Sequence, residues 1–135
     1  MVENSSLSSL GWYPGRKIDV SSIKLYLLRN GFDWFEQVEL FLSEFGNLRS
    51  KTVHFDPMLA ERGLDRRWIF EDYAQRIKQS RFCVIGQAFD NHLTLFMGEN
   101  GTVYGGYDDF LCIISDNPVV AITKIFETTH FDEIT

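Results

Sequence analysis

The side chains in this sequence that could do chemistry are few, and their spacing decides which reactions are open to it. Cys83 lies in "FCVI", and His54, His92 and His130 are the bases it would need as a nucleophile. Apolar neighbours raise a thiol's pKa and leave it inert, because the thiolate is the reactive form. No cysteine-hydrolase signature surrounds Cys83, and there is no G-x-S-x-G elbow. His54 and Asp56 stand two apart, as do His130 and Asp132, but neither pair is a three-ligand set, and no H-E-x-x-H or paired C-x-x-C completes one. No metal and no cofactor is therefore expected. "GENGTVYGGY" is glycine-rich but lacks the Lys-Ser/Thr of a phosphate loop, and a strand rather than a helix follows it. Its glycines read as a turn at Gly98–Gly101 and a bulge or close backbone approach at Gly105 and Gly106. Asp108 and Asp109 are adjacent, so on a strand they would face opposite ways, unlike the paired acids of a glycosidase cleft. What remains is recognition. Tyr104, Tyr107, Asp108 and Asp109 form an acidic stretch flanked by rings. At a protein interface rings supply contact area and carboxylates supply charge complementarity. An ordinary solvated loop would have the same composition. The chain is read as non-enzymatic.

Charge is unevenly spread along the 135 residues. Residues 49–81 carry eight Lys/Arg against five Asp/Glu, whereas residues 82–135 carry Lys124 alone against eight acids. Such asymmetry points to a charged partner. Without a dominant basic patch, direct binding of nucleic acid is not expected, and a basic protein fits better; acidity could equally serve solubility alone. Cys83 and Cys112 both sit in apolar runs and read as buried, reduced thiols of a cytoplasmic protein. No apolar run approaches the roughly 18–20 residues of a membrane helix, so no membrane partner is expected. The opening "MVENSSLSSL" has neither the basic start nor the apolar core of a signal peptide. Residues 1–10 are read as a flexible tail, 11–129 as the folded domain and 130–135 as a C-terminal tail.

These residues must be positioned by a small set of elements. A helix over "SIKLYLLRN" opens at Asp19 or Ser21 and breaks at Gly31. In "DWFEQVELFLSEFG", Trp34, Val38, Phe41, Leu42 and Phe45 form one apolar stripe, with Gly46 expected as a left-handed cap. "KTVHF" alternates as a strand, "DPMLAERGLD" is a loop or short helical turn, and "RRWIFEDYAQRIKQS" is a helix burying Phe70, Tyr73, Ala74 and Ile77. Then "RFCVIGQAF", "HLTLFMG", "TVYGGY" and "FLCII" read as consecutive antiparallel strands. A final helix follows, capped by Asn117 with Pro118 at its first position and Ala121, Ile122, Ile125 and Phe126 inward. Helices at both ends of a strand cluster predict a single-domain α+β fold, an antiparallel or mixed sheet flanked by helices.

One stretch stands before the first of these helices: "GWYPGR", Gly11 to Arg16. Pro14 and Gly15 fit the two centres of a type II turn, which would fold Trp12 onto the domain and leave Arg16 to pair with a carboxylate or with orphan carbonyls. With Gly11, Trp12, Gly15 and Arg16 ahead of a helix–helix unit, the chain resembles the third subgroup of the SUKH superfamily. The similarity continues through "FLSEFGNLRS" (with Gly46) and "CVIGQAFDNHLTLFMGENGTVYGG" (with Gly86 and Gly101), and spans roughly residues 11–127. The resemblance implies a SUKH-like fold and an immunity protein, which binds the C-terminal domain of a bacterial polymorphic toxin, often a nuclease or nucleic-acid deaminase, and protects the producing cell. Toxins that act on nucleic acid need a basic face, and Asp90, Asp108, Asp109 and Asp116 would be the acids offered to it. A regulatory or translocon-associated interaction module of the same fold is the alternative.

Overall fold

A computed structural model describes residues 4–127 and 130–135. At its centre β1 (Phe82–Ala88), β2 (Leu93–Gly98), β3 (Val103–Tyr107), β4 (Phe110–Ser115) and the two-residue β5 (Asp132–Glu133) form one antiparallel sheet in the order β1-β2-β3-β4-β5. The order follows from the turns. Gly101 donates to the Gly98 carbonyl at 2.9 Å and takes φ +89°, the positive region that a side chain disfavours. Every residue of β2 is buried, which is why the strand reads as a continuous apolar run rather than an alternation.

Around the sheet lie α1 (Asn4–Leu10), α2 (Ser21–Arg29), α3 (Glu36–Phe45), α4 (Pro57–Arg62), a π-helical turn over Trp68–Tyr73 that runs into α5 (Ala74–Ile77), and α6 (Pro118–Glu127). α3 and α4 pack on β1, and α6 packs on β4. The result is the single-domain α+β architecture that the sequence predicts.

Several local expectations are corrected. The supposed tail 1–10 contains α1, whose Leu7 and Leu10 enter the core. Gly11, at φ +104°, ends it: Gly11 N–H bonds Ser8 O and Trp12 N–H bonds Leu7 O, both at 3.1 Å, the paired bonds of a Schellman cap. The first three residues of that expected tail lie outside the described residues. So do residues 128 and 129, where the expected domain ends. The supposed tail 130–135 is partly strand, because β5 pairs Asp132 with Ile113 and Glu133 with Cys112.

Gly46 is not left-handed; it has φ −57°, and Asn47 takes φ +65° instead. Glycine is required there by proximity, since a Cβ would lie 2.4 Å from the Leu42 carbonyl oxygen. Trp34 precedes α3 rather than starting its stripe, which is Val38, Phe41, Leu42 and Phe45. "KTVHF" makes only isolated bridges, His54 with Arg49 and with Gln87, because Asp56 already caps α4 two residues later. The π turn rewinds the third long helix, so Ile69 and Tyr73 are its fully buried residues, while Phe70, Ala74 and Ile77 are half-buried.

Candidate protein-binding surface

In an antiparallel meander the β1–β2 and β3–β4 connections emerge at one end of the sheet, and the β2–β3 turn and the exit from β4 emerge at the other. This sorts the acids singled out from the sequence. Asp90 in the first connection and Asp108 and Asp109 in the third share an end, with two strand spacings between the connections, or about 10 Å. Asp116 follows β4 and lies at the opposite end, so it does not belong to that cluster. Tyr107 is 54% exposed beside Asp108, and its ring lies tilted against Phe110 at 5.9 Å. Tyr104 is corrected. It is buried in β3, stacked on Phe96 at 5.5 Å, and offers no area to a partner.

The β3–β4 turn is held from beneath. Gly106 leaves room for the Tyr73 ring, because a Cβ there would lie 2.6 Å from that ring. Tyr73 stacks on Phe96 at 5.6 Å, and its hydroxyl donates to the Asp108 carbonyl at 2.6 Å. The Asp108 backbone takes φ +47°. Arg76 Nη2 donates both to the Asp109 carbonyl at 2.8 Å and to the Asp72 carboxylate at 2.6 Å. The Asp72 carboxylate thus stands beside the turn, next to a hollow of about 340 Å³ lined by Asp65, Arg67, Trp68, Glu71 and Asp72. Burial pushes the Tyr73 phenol far above its ordinary value; Arg76 opposes the shift, and the charges of Asp72, Asp108 and Asp109 add to it. Asp72 and Glu71 were missed from the sequence because they fall in the segment with a basic total. Among the described residues Arg76 pairs with Asp72, and no cation pairs with the carboxylates of Asp90, Asp108 or Asp109.

Asp90 is presented by a strained loop. Phe89, Asp90 and Asn91 have φ of 54°, 57° and 69° in succession. Asp and Asn tolerate this region through their short polar side chains, but phenylalanine adopts it at a cost of about 1–3 kcal/mol. The surroundings hold it. Asp90 N–H donates to Thr52 O at 3.2 Å, His92 N–H to Phe89 O at 3.2 Å, and the Phe89 ring lies 6.0 Å from Phe131.

The opening motif acts elsewhere. Arg16 N–H bonds Tyr13 O at 3.1 Å with Gly15 at φ +81°, the turn expected from Pro14-Gly15. Arg16 then reaches the end of α3, where Nη1 donates to Glu44 O at 2.5 Å and Nη2 to Gly46 O at 2.8 Å. Trp12 Nε1 donates to the Glu44 carboxylate at 3.1 Å. Of the two partners left open for Arg16, the orphan carbonyls are the ones it meets. Gly86 lets His54 approach β1, since a Cβ there would lie 2.1 Å from the His54 carbonyl oxygen.

Burial pushes the Cys83 thiol far up, with Asp33 adding to the shift, and His92 Nδ1 lies 2.9 Å from Phe89 O on an exposed loop. Among the described residues no group of three His, Cys, Asp or Glu could hold a metal ion, and no helix is long and apolar enough to cross a membrane. A family model, described as SUKH-3 immunity protein, matches residues 4–127. The chain belongs to the SUKH-3 immunity protein family. The match begins at α1, in agreement with the core position of Leu7, and membership supports an immunity-protein role with a toxin protein as partner. Comparison with curated proteins and with solved structures gave no match.

Proposed function

We propose that this SUKH-3 protein neutralises a cognate polymorphic toxin in the cytoplasm by stoichiometric binding, without turning over a substrate. The toxin would act on nucleic acid, as a nuclease or deaminase, and the contact would be made by Asp90, Tyr107, Asp108 and Asp109, with Asp72 and Glu71 beside them. The observation that carries this reading is that Asp90 shares one sheet end with Asp108 and Asp109, whose turn Tyr73 and Arg76 pin, and that among the described residues no cation pairs with these three carboxylates. A rigid acidic edge meets a basic nucleic-acid-binding face with little ordering cost, competes with phosphate for it, and associates quickly. The test is to mix the purified chain with the C-terminal domain of the toxin encoded beside it. A 1:1 complex and loss of toxin activity at equimolar ratio are expected. Full toxin activity in excess immunity protein would contradict the reading.

A further inference from the structure

At the far end of the molecule, α3 and the start of α6 enclose a hollow of about 320 Å³ whose lining includes Gln37, Leu40, Phe41, Glu44, Pro118 and Val119. Leu40 is 65% exposed and Val119 43%, with Val120 exposed beside it. Single exposed aliphatic residues are ordinary. Here two of them flank a concavity that also reaches the core rings of Phe41 and Phe45. Its lining contains one acid, Glu44, and no cation. One turn before Leu40, α3 carries exposed Glu36, and the helix has no basic residue, whereas Asp116 lines a neighbouring hollow together with Lys124. The nearby guanidinium, Arg16, is committed to the carbonyls of Glu44 and Gly46.

We propose that this groove is a second contact for the toxin, an anchor for an amphipathic segment that places apolar side chains between Leu40 and Val119 and Lys or Arg beside Glu36 and Glu44. The inference rests on the immunity reading for the partner's identity. Charge complementarity selects the occupant. A second copy of this chain would set acid against acid around the same groove, whereas a basic partner is attracted to it. The two contacts divide the work. Exposed acidic turns speed encounter, while a desolvated apolar anchor sets how long the complex lasts. The six residues of β4 separate the two ends by about 20 Å, within the reach of one interface of standard size.

The probe is the purified C-terminal domain of the toxin encoded beside this chain, with association and dissociation rates measured separately. Leu40→Ser with Val119→Ser changes two exposed side chains and is expected to accelerate dissociation by about tenfold or more with association unchanged. Asp108→Lys with Asp109→Lys is expected to do the converse. Wild-type protein should in addition show backbone amide shifts at Gln37, Leu40 and Val119 on addition of the toxin domain, a readout independent of any variant's folding. Toxin binding with unmoved amides there and a wild-type dissociation rate for the serine variant overturns the groove and leaves the immunity reading standing. Absence of any wild-type binding overturns both. A wild-type dimer that the serine variant converts to monomer assigns the groove to a second copy and also overturns the proposal.

Discussion

Arg16 joins the loop before α2 to the end of α3 through two carbonyls that the helix itself leaves unpaired. Charge-assisted bonds of this kind contribute about 1.5–3 kcal/mol when partly sheltered. Arg16→Ala is therefore expected to lower unfolding free energy by about 2 kcal/mol in a urea titration, and Arg16→Lys to restore only part of it, because an ammonium lacks the planar fork. The two thiols make a pH prediction. Burial pushes Cys112 up from 9.0 to about 11, and Cys83 is raised further. Well below pH 9.0 both thiols stay protonated in both states. Above it the unfolded chain releases those protons first, so the native state binds more protons and stability falls as pH rises. Buried Tyr73, raised from 10.0, continues the loss at higher pH. Urea midpoints should thus drop between about pH 7 and about pH 10, and a thiol reagent at neutral pH should label neither cysteine in the folded protein. A flat midpoint, or rapid labelling of Cys83, would contradict the burial of both groups.

Among the elements, α4 is the one most dependent on a single residue. Asp56 accepts from Leu59 N–H at 3.1 Å and pairs with Arg49 at 3.0 Å, which starts a six-residue helix against β1. Asp56→Ala should cost about 1 kcal/mol, most of it from the lost cap because the ion pair is exposed. Gly86→Ala should cost more, about 3 kcal/mol, since its methyl group meets backbone that cannot swing aside. The order and type of the long elements were legible, because turn glycines and apolar periods are local signals. α1 was not, because "SSLSSL" is poor in helix formers and its two leucines are explained only by the core they enter. The π turn was not legible either, since nothing in "WIFEDY" distinguishes it from an ordinary helical turn until Tyr73 must reach Gly106. At the site, Tyr107, Asp108 and Asp109 were legible as an exposed turn. Tyr104, three residues earlier, was not separable from them without the strand register that turns it inward.

For the whole molecule, charge summed along the chain was a poor guide to charge in space. The segment 49–81 has a basic total, yet Arg49, Arg67, Arg76 and Arg81 are all held in ion pairs. Its Asp72 and Glu71 meanwhile lie with the acids of the β3–β4 turn. What an approaching partner meets at that end is therefore a local acidic excess, Asp90, Asp108, Asp109 and Asp72 around the single guanidinium of Arg76, which the basic total of segment 49–81 conceals, and long-range steering acts on that surface field. The association rate of the toxin domain, followed from low to high salt for wild type and for Asp108→Lys with Asp109→Lys, measures this directly. Wild-type association is expected to be fast and to fall steeply with salt; the lysine variant should stay folded by circular dichroism, with its melting temperature lowered only by the left-handed backbone at position 108, associate at least about tenfold more slowly at low salt, and lose most of the salt dependence. Equal association rates for the two proteins at every salt concentration would contradict the acidic edge as the surface through which this protein works.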